Sequence, residues 1–195
     1  MSLLYLIPHA HTRPDPGEAA TRWRLSTLGE EQAAALARAP FWAQVDRLLL
    51  SREPKTWLTV APLLAHYPLP VTVDARFDEL ARGKAWIPDY AARVAHAFAH
   101  PSQSAGGWEP AAQALARFLD GVADARQRFP GQTLALVGHG LTLSLYRAHL
   151  LGQARVRMED WRHLAFTSVA RVDLEHGVLE MDFRPVAGVP NVRRG

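Results

Sequence analysis

Short runs of consecutive apolar residues alternate with longer stretches whose apolar residues recur every three or four positions, and this alternation restricts the chain to an α/β fold. Leu3 to Ile7 is the first run, and it has no polar interruption, as a strand buried on both faces requires. Gly29 to Ala39 reads as a helix stopped by Pro40, Arg47 to Leu50 as a strand, and Thr56 to His66 as a short helix interrupted at Pro62. Val71 to Val73 is a third strand. Ala112, Leu115, Phe118, Leu119 and Val122 share one side of a helix predicted from Glu109 to Phe129 and ended by Pro130-Gly131. Thr133 to Val137 is another buried strand and Leu141 to Leu151 another helix. Ser168 to Asp173 and Val178 to Phe183 form a hairpin through Glu175-His176-Gly177.

Between Phe77 and Trp108 the pattern breaks at Gly83, Pro88, Pro101, Gly106 and Gly107, with a helix expected only from Asp89 to Ala99. This stretch has too few apolar residues for a core of its own, so residues 77–108 read as a lid or insertion within one domain spanning residues 1–195. Residues 185–195 read as a loose, flexible tail.

Composition narrows the chemistry. The chain has no cysteine, which excludes a thiolate nucleophile, a CxxC redox pair and a zinc knuckle. No apolar run approaches the roughly 18 residues of a membrane span, so no membrane partner is expected. The opening MSLLYLIPHAH lacks the charged region and cleavage site of a signal peptide, and the expected location is cytoplasmic. Twenty of the 22 cationic residues are arginine, but they are scattered and not interleaved with aromatics, so no nucleic-acid partner is expected. Such arginine use fits a site that grips phosphate or carboxylate, and it equally fits genome composition.

Two histidines occupy equivalent places. His9 follows the strand Leu3 to Ile7, and His139 follows Thr133 to Val137 and leads into a helix. In open α/β sheets ligands collect at the carboxyl ends of the strands, so both imidazoles stand where sites form and are expected to face one another across a pocket.

The segment Leu4-Tyr5-Leu6-Ile7-Pro8-His9-Ala10-His11-Thr12 resembles the LYLVRHGET opening of the histidine phosphatase superfamily, the phosphoglycerate mutase-like proteins. Leu25-Ser26-Thr27-Leu28-Gly29 with Gln32-Ala33 is similar to the family's LTxLGxxQA, and Leu50-Ser51-Arg52-Glu53-Pro54-Lys55-Thr56 with Thr59 to its SPLxRTxxTA. Phe77-Asp78-Glu79-Leu80-Ala81-Arg82-Gly83 resembles LxExxxG, and Leu136-Val137-Gly138-His139-Gly140 resembles VSHGG. The resemblance implies a three-layer α/β/α sandwich around a mostly parallel sheet. It also implies phosphomonoester hydrolysis through a phosphohistidine, without cofactor or metal, on a small phosphorylated substrate.

Carried onto this chain, the resemblance makes His9 the nucleophile, His139 the second histidine of the phosphate pocket and Glu79 the acid. Thr12, Lys55 and the N–H of Gly140 at its helix start are phosphate contacts. Two positions depart from the pattern. The arginine before the nucleophile is Pro8, and the second-motif arginine is Lys55, which keeps the charge without the planar fork. Loss of one such donor commonly costs about 10²–10³ in rate. Arg13 and Arg52 are the nearby candidates to replace it.

His9-x-His11 also resembles the strand-end metal motif of amidohydrolases and of the polymerase-and-histidinol-phosphatase domains, although such barrels need about 250 residues. The sequence supports three readings: a slow or unusually specific phosphomonoesterase, a degenerate member that binds a phosphorylated ligand or partner, and a metal hydrolase. Neither substrate identity nor oligomeric state follows from it.

Overall fold

The structure is a computed structural model and describes residues 2–193. Six strands form one mixed sheet: β1 (Leu3–Pro8), β2 (Arg47–Leu50), β3 (Val71–Val73), β4 (Leu134–Gly138), β5 (Val169–Asp173) and β6 (Val178–Arg184), in the order β3-β2-β4-β1-β5-β6. The first four are mutually parallel, and the C-terminal hairpin joins antiparallel to β1. Strand β1 lies against β4 with Ile7 opposite Val137 and Pro8 opposite Gly138. Residues His9 and His139 therefore leave the sheet side by side.

Alternation along the strands divides the core in two. Leu4, Leu6, Leu134 and Leu136 face Phe118 and Val122 of α4 (Ala111–Arg128) and Leu143 and Tyr146 of α5 (Gly140–Leu150). Tyr5, Ile7, Ala135 and Val137 face Leu36 of α1 (Thr27–Leu36) and Val60 and Leu63 of α2 (Pro54–Leu64). This is the three-layer arrangement expected, with helices on both sheet faces. Helix α2 starts two residues before the predicted point because Pro54, with its fixed φ and no N–H, suits the first helical turn.

The lid segment contains α3 (Tyr90–Ala99), and it packs through Leu80, Val94 and Phe98 onto Leu141 and Leu145 of α5. A short helix, α6 (Met158–His163), absent from the sequence reading, seats Trp161 in the same cluster. The segment read as a loose tail is packed over its described part. Val186 and Val189 lie against the α1/α2 core, Gln32 Nε2 donates to the Pro190 carbonyl at 2.8 Å, and Phe166 N–H donates to the Val192 carbonyl at 3.0 Å. Among the described residues, no helix is long and apolar enough to cross a membrane.

Candidate active site

A cavity of about 390 Å³ opens at the carboxyl ends of β1 and β4, with His9, His139, Glu79, Lys55 and Thr12 in its lining. The rings of His9 and His139 meet edge to face with centroids 5.4 Å apart. Both imidazoles therefore border the same end of the cavity.

His9 is 6% exposed and its Nδ1 lies 2.7 Å from the carbonyl of Ala10. A carbonyl can only accept, so the neutral ring carries its proton on Nδ1 and its lone pair on Nε2. The backbone around it is held from three sides. His9 N–H donates to Gly138 O at 2.9 Å, Thr167 N–H donates to Pro8 O at 3.0 Å, and Ala10 N–H donates to Thr59 Oγ1 at 2.9 Å. Gly29 lets the next turn close, because a Cβ there would sit 1.9 Å from the carbonyl oxygen of His11.

His139, 1% exposed, has its Nε2 2.7 Å from Ser51 Oγ and 3.8 Å from a carboxylate oxygen of Glu53. Glu53 was not singled out by sequence reasoning, although an acid two residues before a site lysine in a strand-end loop was a usable signal. It is 5% exposed and pairs with Lys55, itself 3% exposed, at 2.6 Å. Lys55 Nζ also donates to the Ala20 carbonyl at 2.6 Å. Burial pushes the Lys55 ammonium below the usual lysine value, and the Glu53 charge works in the opposite direction. Lys55 thus reaches the cavity with its charge already matched.

Glu79 is held as a carboxylate bracket. Its Oε1 accepts N–H groups of Leu80 at 3.0 Å and Thr142 at 3.1 Å, and its Oε2 accepts that of Leu141 at 3.1 Å. The first free amides of α5 after Gly140 are therefore directed at Glu79, and Gly140 itself is buried outside the cavity lining. Arg117 fastens this loop from behind, donating to the carbonyls of Arg76, Asp78 and Glu79 while its guanidinium forks onto Glu109 at 2.8 and 2.9 Å.

Neither arginine offered as a replacement clamp lines the cavity. Arg52 is turned outward onto Asp78 at 2.6 Å, and Arg13 is exposed. Two others do line it: Arg82, stacked 5.1 Å over the Tyr90 ring, and Arg193, delivered by the packed C-terminal segment. Arg82 lay inside the acidic motif and was readable there. Arg193 gave no local signal.

Phe166 packs on both His9 and His11, with ring centroids 5.7 and 5.1 Å away. It is aimed by Thr167, whose φ of +56° is costly for a β-branched residue. His11 Nδ1 lies 2.8 Å from Ser26 Oγ. Among the described residues, the one set of three or more metal-type donors within 4.8 Å of each other is Asp173, Glu175 and His176 on the β5–β6 turn. His9 and His11 belong to no such set among the described residues.

The model of the histidine phosphatase superfamily, branch 1, matches residues 4–184. The chain belongs to this superfamily. Its fold recurs in Bacillus stearothermophilus YhfR, with a TM-score of 0.78 and 20% identity over 97% of this chain and 98% of that one. A mycobacterial glucosyl-3-phosphoglycerate phosphatase in complex with VO3 superposes with a TM-score of 0.71 and 22% identity over 89% and 93% of the two chains. The Shigella flexneri alpha-ribazole phosphatase superposes with a TM-score of 0.72 and 21% identity over 97% and 100%. No curated protein sequence matches significantly. In this histidine phosphatase-like chain Pro8 directly precedes His9, and the Glu53–Lys55 pair stands at the start of the helix that follows β2.

Proposed function

We propose that the protein is a phosphomonoesterase acting through a phosphohistidine on His9. The observation that carries this reading is the His9 ring: its Nδ1 proton is fixed on the Ala10 carbonyl, which puts the lone pair on Nε2, while the His139 ring meets it edge to face with centroids 5.4 Å apart at the same end of the cavity. Nε2 forms the N–P bond as the ester P–O bond breaks, and the departing alkoxide takes a proton. Glu79 Oε2, which accepts one N–H where Oε1 accepts two, is the oxygen to carry that proton. Water then attacks phosphorus, giving a proton to the Glu79 carboxylate as the N–P bond breaks, which releases phosphate and returns His9 and Glu79 to their starting states.

Charge on the transferring phosphoryl oxygens is met by His139, Arg82 and Arg193, with Lys55 contributing less because Glu53 already neutralises it. Pro8 and that ion pair favour slow turnover over the fast catalysis of a fully clamped site. They also favour a second reading, in which the cavity binds a phosphorylated ligand without cleaving it. Its superfamily neighbours include proteins named as phosphatases, which supports the first reading.

The test is p-nitrophenyl phosphate hydrolysis by the full chain. Turnover should survive EDTA and disappear in His9→Ala. Activity lost to chelator would return the metal reading, and activity unaffected by His9→Ala would refute the nucleophile.

A further inference from the structure

We propose that the substrate is a phosphomonoester whose alcohol carries a flat aromatic or heteroaromatic ring, seated on the Trp23–Trp86 wall; this rests on the phosphatase reading above. Two independent features of the cavity converge on it. Beyond His139, Arg82 and Arg193 the phosphate end gains little further grip: Pro8 offers no cation, Arg52 is held outside by Asp78, and the Lys55 ammonium is bound at 2.6 Å to both Glu53 and the Ala20 carbonyl. Where the reacting group is held weakly, binding energy from remote parts of the substrate must supply the positioning. The cavity is also far larger than a phosphate, at about 390 Å³, which is within the range of sites for small organic ligands.

Five aromatic side chains share the rest of its wall with Glu18 and several aliphatic residues and prolines. Trp23, Trp86, Tyr90, Trp161 and Phe166 all line it. Tyr90, Trp161 and Phe166 also pack on other groups, with Tyr90 6.1 Å from Trp161 and Phe166 on the two histidines. Trp23 and Trp86 belong to none of the three core clusters. They touch one another at 6.2 Å with a 46° tilt, and Trp86 remains 47% exposed at the mouth. An indole that contributes no core packing yet walls a cavity offers its face to a ligand, where a planar ring gains offset or edge contacts. Arg82, with its guanidinium 5.1 Å from the centre of the Tyr90 ring, adds a cation to the same cavity lining.

The experiment compares primary alkyl esters of similar leaving-group basicity: 2-(1-naphthyl)ethyl, 2-cyclohexylethyl and n-propyl phosphate, with glucose 6-phosphate as the polyol. The naphthyl ester should exceed n-propyl phosphate in kcat/KM by about 10–100-fold, the worth of stacking one ring on an aromatic side chain, and should exceed the cyclohexyl ester. The naphthyl-to-propyl ratio should fall about tenfold or more in Trp86→Ala and recover largely in Trp86→Phe. Equal kcat/KM for all esters, a preference for the cyclohexyl or sugar ester, or an unchanged ratio in Trp86→Ala would overturn the proposal. If no ester is hydrolysed, the phosphatase reading has failed, and calorimetric binding of the same compounds decides the ring site separately. Tighter binding of the naphthyl ester that is weakened in Trp86→Ala upholds it, and binding indifferent to the ring overturns it.

Discussion

Replacing Glu53 by alanine strands a buried ammonium, and the cost can be worked from the structure. Lys55 Nζ and Glu53 Oε2 are 2.6 Å apart with both side chains almost wholly buried. At an effective dielectric constant of about 20 their attraction is about 6 kcal/mol, set against several kcal/mol of desolvation for each ion. Removing one partner leaves the other's desolvation uncompensated, a loss of about 3–5 kcal/mol. In a chain of 195 residues each kcal/mol is worth roughly 2–4 °C, so Tm should fall by about 6–20 °C.

The loss has a pH signature. Burial depresses the folded-state value of Lys55 below the usual lysine value, so the unfolded chain binds the proton more tightly and stability rises with pH between the two values. Without Glu53, which raises the folded value, the depression deepens and the window extends downward. The penalty of Glu53→Ala should therefore be greatest near neutral pH and shrink as pH rises toward the ordinary lysine value and Lys55 loses its proton. Urea unfolding at several pH values reads this directly, and the double variant Glu53→Leu with Lys55→Met should recover most of the loss. A penalty under about 1 kcal/mol, or one that is flat with pH, would refute the reasoning.

Arg117→Ala should lower kcat more than it raises KM, by about tenfold or more, because Arg117 touches no cavity surface yet holds the Glu79 loop through three carbonyls; steady-state kinetics check this. Arg193→Ala should reduce kcat/KM by about 10–100-fold while leaving Tm nearly unchanged, if its guanidinium serves the phosphate. Burial pushes the Tyr146 phenol up to about 12, so its ionisation should cost stability as pH rises from the ordinary tyrosine value through about 12. Tyr146→Phe should flatten that alkaline fall in a pH series of unfolding curves.

What was legible in the sequence follows from how local each signal is. Strands β1 and β4 showed as unbroken apolar runs, and their ends located His9 and His139. The Glu53–Lys55 pair was harder to read, because it depends on α2 beginning at Pro54, which turns both side chains inward over two residues. Helix α6 is six residues long, too short for periodicity to register, so Trp161 had no visible route to the cavity. Arg193 was invisible for a different reason. Its segment is held by single bonds from Gln32 and Phe166, contacts 158 and 26 residues away in sequence that no local composition announces. The lid was read from its breaks, but its packing on α5 joins Leu80, in the loop before α3, to Val94 and Phe98 on α3.

The most direct measurement of the central claim is trapping of the covalent intermediate. Protein mixed with a ³²P-labelled phosphomonoester and quenched in alkali, where phosphohistidine survives, should carry label that acid removes and that peptide mapping places on the segment containing His9. His9→Ala should carry none. Turnover without any such label, or label on another residue, would contradict the account.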